Sequence, residues 1–161
     1  EMNSQFGILC FSETASDPVL WAHYAAVHTG VAFEVDYLVD PETLRKTQYT
    51  DDRPVMDANI LNDPSQVYDH LLPLLKRMLR QKAPSWSYER EYRVHIALED
   101  CETAGGHYFE KIPDDFLKRV ILGFRCPLDP RYVRKALDKV GLEDTEVVRA
   151  KMDQLSYTIL C

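Results

Sequence analysis

Between Trp86 and Leu98 the chain reads Trp86-Ser87-Tyr88-Glu89-Arg90-Glu91-Tyr92-Arg93-Val94-His95-Ile96-Ala97-Leu98. From Glu91 onward polar and apolar residues alternate, the pattern of a strand with one buried face. The spacing predicts Tyr92, Val94, Ile96 and Leu98 toward the core. Glu91, Arg93 and His95 then stand on the other face, about 7 Å apart. A carboxylate, a guanidinium and an imidazole in one row suit the floor of a polar site. They suit a solvated face with an ion pair equally well. The stretch says where a site would lie before it says what the site does.

The chain has 161 residues, enough for one domain with a real core. A net charge of −7 disfavours broad phosphate-backbone binding, which needs a basic surface. A local basic groove is still open to it, since Lys76, Arg77, Arg80 and Lys82 fall close together. No apolar run is long enough to predict a membrane span, and no secretory signal is visible. The four cysteines, Cys10, Cys101, Cys126 and Cys161, are scattered without a paired motif. A cytoplasmic protein with reduced thiols is the expectation, with Cys10 and Cys126 packed in or beside apolar strands.

Read in order, Gly7–Ser12 is predicted as a buried strand. Ser16 or Asp17 caps a helix over Pro18–His28 that Gly30 stops. Val31–Tyr37 alternates as a second strand, and strand, helix, strand fits a crossover unit or an antiparallel pairing. Pro41–Arg45 suits a short helix, Thr47–Tyr49 an extended piece, and Asp51–Pro54 a turn. Val55–Asp63 reads as loop with room for a short helix. A long helix follows from Pro64 or Ser65 to about Lys82, with Val67, Leu71, Leu74, Leu75, Met78 and Leu79 on one face and Pro73 inside.

Gly105-Gly106 marks a hairpin or longer loop, with His107–Ile112 as the return strand. Pro113–Lys118 suits one or two helical turns, and Arg119–Phe124 a buried strand. Asp129-Pro130 opens a last helix that Gly141 stops. Glu146–Met152 and Ser156–Leu160 close the chain as strands. The total is about seven strands with three or four helices: an α+β fold on a mixed, mostly antiparallel sheet.

A second candidate constellation is Trp21-Ala22-His23-Tyr24. On a helix, Trp21, Tyr24, Ala25 and His28 share a stripe that suits a core, while His23 points elsewhere. Functionally, Tyr24 or His23 would rim a pocket where rings stack on a nucleobase or nicotinamide. The five histidines show no zinc-ligand spacing, so no metal is expected. A phosphate loop and a nucleophile elbow are absent too. Glu91 remains. Flanked by Trp86, Tyr88 and Tyr92, its carboxylate would stabilise a cationic transition state such as an oxocarbenium ion. Arg93 would keep it ionised or clamp a phosphate.

The runs Ile8-Leu9-Cys10-Phe11-Ser12, Leu20-Trp21-Ala22-His23-Tyr24-Ala25 and His28-Thr29-Gly30-Val31-Ala32, followed by Lys82, Trp86-Ser87-Tyr88-Glu89-Arg90-Glu91-Tyr92-Arg93 and Arg119-Val120-Ile121-Leu122-Gly123, carry a resemblance. In order and spacing they resemble the bacterial domain-of-unknown-function family 2971, over nearly the whole chain. Members usually begin with a Tyr-rich strand and an Asn-Asp-Pro-Phe-type turn. Here Asn62-Asp63-Pro64 has similar letters in a different place. The 161 residues are therefore expected to be a single domain forming the C-terminal part of a longer one.

The family implies no established activity. The layout is also similar to ADP-ribosyltransferase-like domains, and that likeness implies NAD, with Glu91 as the late-strand Glu and Tyr24 as the middle aromatic. It implies a transferase serving in phage defence or as a toxin. Glu91 and Arg93 would be catalytic, and Tyr24, His23, Trp86, Tyr88 and His95 would bind substrate. The alternative is a non-catalytic ligand- or protein-binding module on the same face. The partners expected are a small nucleotide and the missing N-terminal segment or a partner chain, with no membrane.

Overall fold

A computed structural model describes residues 5–36, 43–55, 64–113 and 115–161, with backbone alone at 64–68 and 72. Among the described residues three α-helices, α1 (Pro18–Tyr24), α2 (Pro64–Arg80) and α3 (Pro130–Asp138), lie among twelve strands, several only two residues long. The class is α+β with mostly antiparallel pairing, as the sequence predicts; the parallel exceptions are given below. More strands are found than the seven expected, because brief extended pieces pair locally. The chain divides into two compact units, one of Glu1–Gly7, Thr14–Asp40 and Ile96–Cys161, the other of Ile8–Glu13 and Pro41–His95.

The first unit is built on β9 (Leu117–Leu122), flanked by β2 (Val31–Val35) and β10 (Glu146–Arg149). β2 runs antiparallel to β9, and β10 runs parallel to it. A central strand buries both faces, which is why Val120, Ile121 and Leu122 form an unbroken apolar run. Ile121 faces Trp21, Ala25, Ala150 and Ile159. Val120 and Leu122 face Cys126 and the Val133 and Leu137 side chains of α3. Asp129 caps α3 by accepting from the Arg131 N–H at 2.8 Å. Past its end Gly141 sits at φ +79°.

α1 is shorter than predicted. Asp17 caps it through the Val19 N–H at 2.8 Å, but it ends at Tyr24. Ala26, Val27 and His28 then turn left-handed at φ 47°, 53° and 65°. The reversal is held from outside: Trp21 is stacked with the His28 ring at 6.4 Å, Phe124 packs on it at 4.6 Å, and the His28 carbonyl accepts from the Arg125 N–H at 3.1 Å. Trp21 and Ala25 do lie in the core, whereas Tyr24 is 65% exposed and leaves the predicted stripe. The crossover unit is also overturned, since β1 (Phe6–Ser12) and β2 belong to different sheets. No helix forms at 115–118, where the Phe116 N–H closes a turn onto the Pro113 carbonyl at 3.1 Å. The Gly105-Gly106 hairpin is as predicted. Both glycines are at positive φ between β7 (Glu102–Ala104) and β8 (His107–Phe109). Lys151–Met152 (β11) and Ile159–Leu160 (β12) pair antiparallel near the end of the chain.

The second unit is organised on the sheet order β1-β6-β3, with β6 at Glu91–Ala97 and β3 at Arg45–Lys46. Arg45 lies opposite Arg93 in antiparallel register, and Lys46 opposite Tyr92. Beside this sheet β4 (Gln48–Tyr49) pairs in parallel with β5 (Gln81–Lys82), which ends α2 two residues before its predicted limit. A 3₁₀ segment, Pro84–Glu89, leads to Arg90 at φ 45° and into β6. Leu98 opens a 3₁₀ turn instead of continuing the strand. β1 is an edge strand, and Ile8, Leu9 and Cys10 are exposed, so it is not the buried strand predicted. Arg45 is extended, not helical. Tyr37, Pro41–Glu42, Met56–Asp63 and Asp114 lie outside the described residues, as does the Val67 side chain.

Candidate functional site

Glu91 begins β6 and is 5% exposed; Val94, on the opposite face, is 1% exposed. Both faces of the strand are therefore covered. The polar row is not a solvated surface.

Each element around Glu91 brings a donor. Arg93, two residues along and hence on the same face, holds both carboxylate oxygens, through Nε at 2.9 Å and Nη2 at 3.0 Å. Lys82, on β5, donates from Nζ at 3.2 Å. The Cys10 thiol of β1 also favours the charged form of this carboxylate. The backbone is pinned as well: the Glu91 N–H meets the Tyr49 hydroxyl at 2.8 Å, and its carbonyl accepts from the Thr47 N–H at 2.8 Å.

The charges are paired twice over. Lys82 Nζ also donates to buried Glu89 and lies 4.9 Å from the Trp86 ring centre. Arg93 Nη1 reaches the Leu79 carbonyl at 2.8 Å, at the C-terminal end of α2, where a cation is favoured by the helix dipole. Ser12 donates to the Glu89 carbonyl at 2.7 Å.

Titration follows this geometry. Burial would raise the pKa of Glu91, but hydrogen bonds from Arg93, Cys10 and Lys82 prevail and hold it at about 2. Burial and then the Glu91 carboxylate push the Cys10 thiol up to about 11. Burial, with Arg93, Arg80 and Arg45, lowers His95 below its ordinary value, so the ring favours its neutral form.

The other predicted residues divide. Trp86 and Tyr88 are tilted neighbours on the 3₁₀ segment, with centroids 6.0 Å apart and Trp86 39% exposed. His95 shares the row of Glu91 and Arg93. His23 and Tyr24 belong to the first unit, both exposed at the end of α1, with rings edge to face at 6.2 Å. Concavities of about 280 Å³ at the Gly105-Gly106 hairpin and about 310 Å³ between Leu117 and Thr145 are lined by none of these residues. Among the described residues no group of three or more His, Cys, Asp or Glu is placed to hold a metal.

Sequence reasoning missed Lys82 and Glu89 as members of the site. Lys82, Glu89, Glu91 and Arg93, two acids and two bases close together in sequence just before and at the start of β6, were the available signal. No helix among the described residues is long and apolar enough to cross a membrane. No family model matches the chain, and neither a curated protein nor a solved structure matches it.

Proposed function

We propose that the chain is a non-catalytic binding module of the bacterial family 2971 type, acting in the cytoplasm and taking a nucleotide-like small molecule beside Trp86 and Tyr88. The observation that carries this reading is the saturation of Glu91. Arg93 donates to it twice and Lys82 once. An electrostatic catalyst must turn a lone pair toward the reacting centre. Here those directions are occupied by the protein's own donors, so the charge goes into ordering the sheet. The half-open indole of Trp86, with Lys82 over its ring, supports stacking of a flat ligand ring.

A second reading takes the same Arg93 and Lys82 bonds as charge: they hold the Glu91 carboxyl well below the usual carboxylate range. A fixed carboxylate of that kind favours an oxocarbenium-like centre, and in an NAD-using transferase of phage defence or toxin type it would act on the departing nicotinamide bond.

Thermal melting of the chain with NAD, ADP-ribose, ATP and nicotinamide tests both readings. A ligand at 100 times its dissociation constant adds about 2.7 kcal/mol. The binding reading expects a rise in melting temperature that Trp86→Ala removes, with no nicotinamide released from NAD. Release of nicotinamide by the wild-type chain would replace it with the transferase. No response to any of the four would overturn the nucleotide assignment.

A further inference from the structure

The sheet of the first unit ends on a strand that is open along one side. β2 is bonded to β9 and to no other strand among the described residues. The Gly123 N–H donates to the Gly30 carbonyl at 3.0 Å, and the Asp36 N–H to the Phe116 carbonyl at 2.9 Å, so Gly30 and Asp36 both turn their peptide groups toward the β9 side. Peptide groups alternate along a strand, which turns Ala32 and Glu34 the same way. The N–H and C=O groups of Val31, Phe33 and Val35 therefore point away from β9, and no turn or loop backbone reaches them. Three donors and three acceptors stand in a row, about 7 Å from one residue to the next.

The side chains agree with the backbone. Phe33 lies opposite Val120 and Val31 opposite Leu122, on the face where α3 packs. Phe33 is nevertheless 61% exposed. Edge strands are ordinarily guarded by a lysine, a proline or a bulge. Val31–Val35 has neither lysine nor proline, and its one shift of register, between Glu34 and Val35, skips Lys118 on β9. Its single charge, Glu34, stands on the other face and is held by Arg119 at 3.2 Å.

What fits this edge follows from its symmetry. Laid antiparallel on itself with Phe33 opposite Phe33 of a second copy, Val31 meets Val35, and every outward N–H meets an outward C=O. Ala32 then meets Glu34, so the two Glu34 carboxylates are not opposed, and the aromatic rings are. We infer that β2 is a dimer-forming edge, pairing antiparallel with β2 of a second copy about a two-fold axis at Phe33. The two three-stranded sheets join into one of six strands. The inference uses the first unit alone and stands whether or not a nucleotide stacks at Trp86.

Sedimentation equilibrium of the whole chain under reducing conditions, from about 1 μM to about 1 mM, tests it. A monomer–dimer equilibrium is expected, with a dissociation constant on the order of 10–100 μM for so short a strand. Phe33→Lys sets like charges opposite each other and should weaken association about tenfold or more. If circular dichroism shows that this variant does not fold, Phe33→Thr, uncharged and strand-favouring, decides in its place. Amide hydrogen exchange of the wild-type chain reads the register. The Val31, Phe33 and Val35 amides should slow about fivefold or more from dilute to concentrated protein, while Ala32 and Glu34, already bonded to β9, stay as they are. A chain monomeric throughout, a dimer indifferent to the Phe33 substitution, or no slowing at those three amides overturns the proposal. A monomer whose three amides slow only when a peptide of residues 30–36 is added would give the edge to an extended segment of another protein, and overturns the second copy.

Discussion

Arg93 holds both oxygens of Glu91, its neighbour two residues back on the same strand, at 2.9 and 3.0 Å, in a setting where the Glu91 side chain is 6% and the Arg93 side chain 14% exposed. Two charges removed from water in this way cost several kcal/mol each in desolvation, which the fork geometry and the added bonds to Lys82 and Leu79 offset. The pair is therefore far more sensitive to losing one member than to losing both.

Glu91→Gln is expected to lower stability by about 3–5 kcal/mol, because it strands Arg93 as a buried cation and leaves Lys82 with Glu89 alone. Glu91→Leu combined with Arg93→Leu should recover part of that loss. Urea unfolding of the three proteins checks this. A cost below about 1 kcal/mol for Glu91→Gln would mean that the network behaves as an exposed pair. The same fragility makes Glu91→Gln a poor test of catalysis, since lost turnover and lost fold would coincide.

Acid should weaken the fold in two windows. His95 and His28 both have pKa values lowered below the ordinary 6.5, by burial first and neighbouring arginines second. The unfolded chain therefore takes up their protons first, and stability falls as pH drops through 6.5. Glu91, lowered from 4.5 to about 2, contributes fully above 4.5, and its contribution is lost as pH falls through its folded value. Chemical denaturation at a series of pH values should show both declines. His95→Gln should shrink the first decline and leave the second. A stability flat from neutrality down to 4.5 would contradict the histidine account.

Cys10 is exposed as a residue, yet its thiol is held protonated up to about 11 by burial of the sulfur and by Glu91. At pH about 8 the thiolate fraction is then on the order of one in a thousand, so alkylation by iodoacetamide should be slow. Any variant that removes the Glu91 charge and still folds should label faster at Cys10, as mass spectrometry of the modified peptide would show. Equal rates in the two proteins would break the proposed thiol–carboxylate bond.

What the sequence made legible follows from what a period can encode. Alternation from Glu91 to Ile96 located β6 and named the residues sharing each of its faces. It could not say that the polar face is covered too, because the covering pieces, the end of α2 and Gln81–Lys82, come from a stretch read only as helix. Glu89 escaped because a 3₁₀ segment has neither a strand's nor a helix's repeat. The run Val120 to Leu122 was legible as buried, since an unbroken apolar strand needs cover on both sides. The end of α1 was not: nothing in Ala26-Val27-His28 favours a left-handed turn, and a β-branched valine disfavours it. Its cause lies nearly a hundred residues away in the chain.

That cause gives the last prediction. A Cβ built on Gly123 would stand 2.1 Å from the His28 carbonyl oxygen and 3.1 Å from that of Gly30, both backbone atoms with no rotamer to yield. The Gly123 N–H also bonds the Gly30 carbonyl at 3.0 Å, so the two segments cannot simply separate. Gly123→Ala must therefore push the left-handed turn off β9, disturbing the His28 ring between Trp21 and Phe124. The expected cost is at least about 1–3 kcal/mol, the range of forced overpacking. Thermal melting would measure it, with the Trp21 near-ultraviolet signal reporting the turn. Gly105→Ala is the control: its Cβ meets nothing within 4 Å, and only the strain of φ +57° in an exposed hairpin remains. A Gly123→Ala protein as stable as the wild type would show that contact with Gly123 does not hold the turn in place.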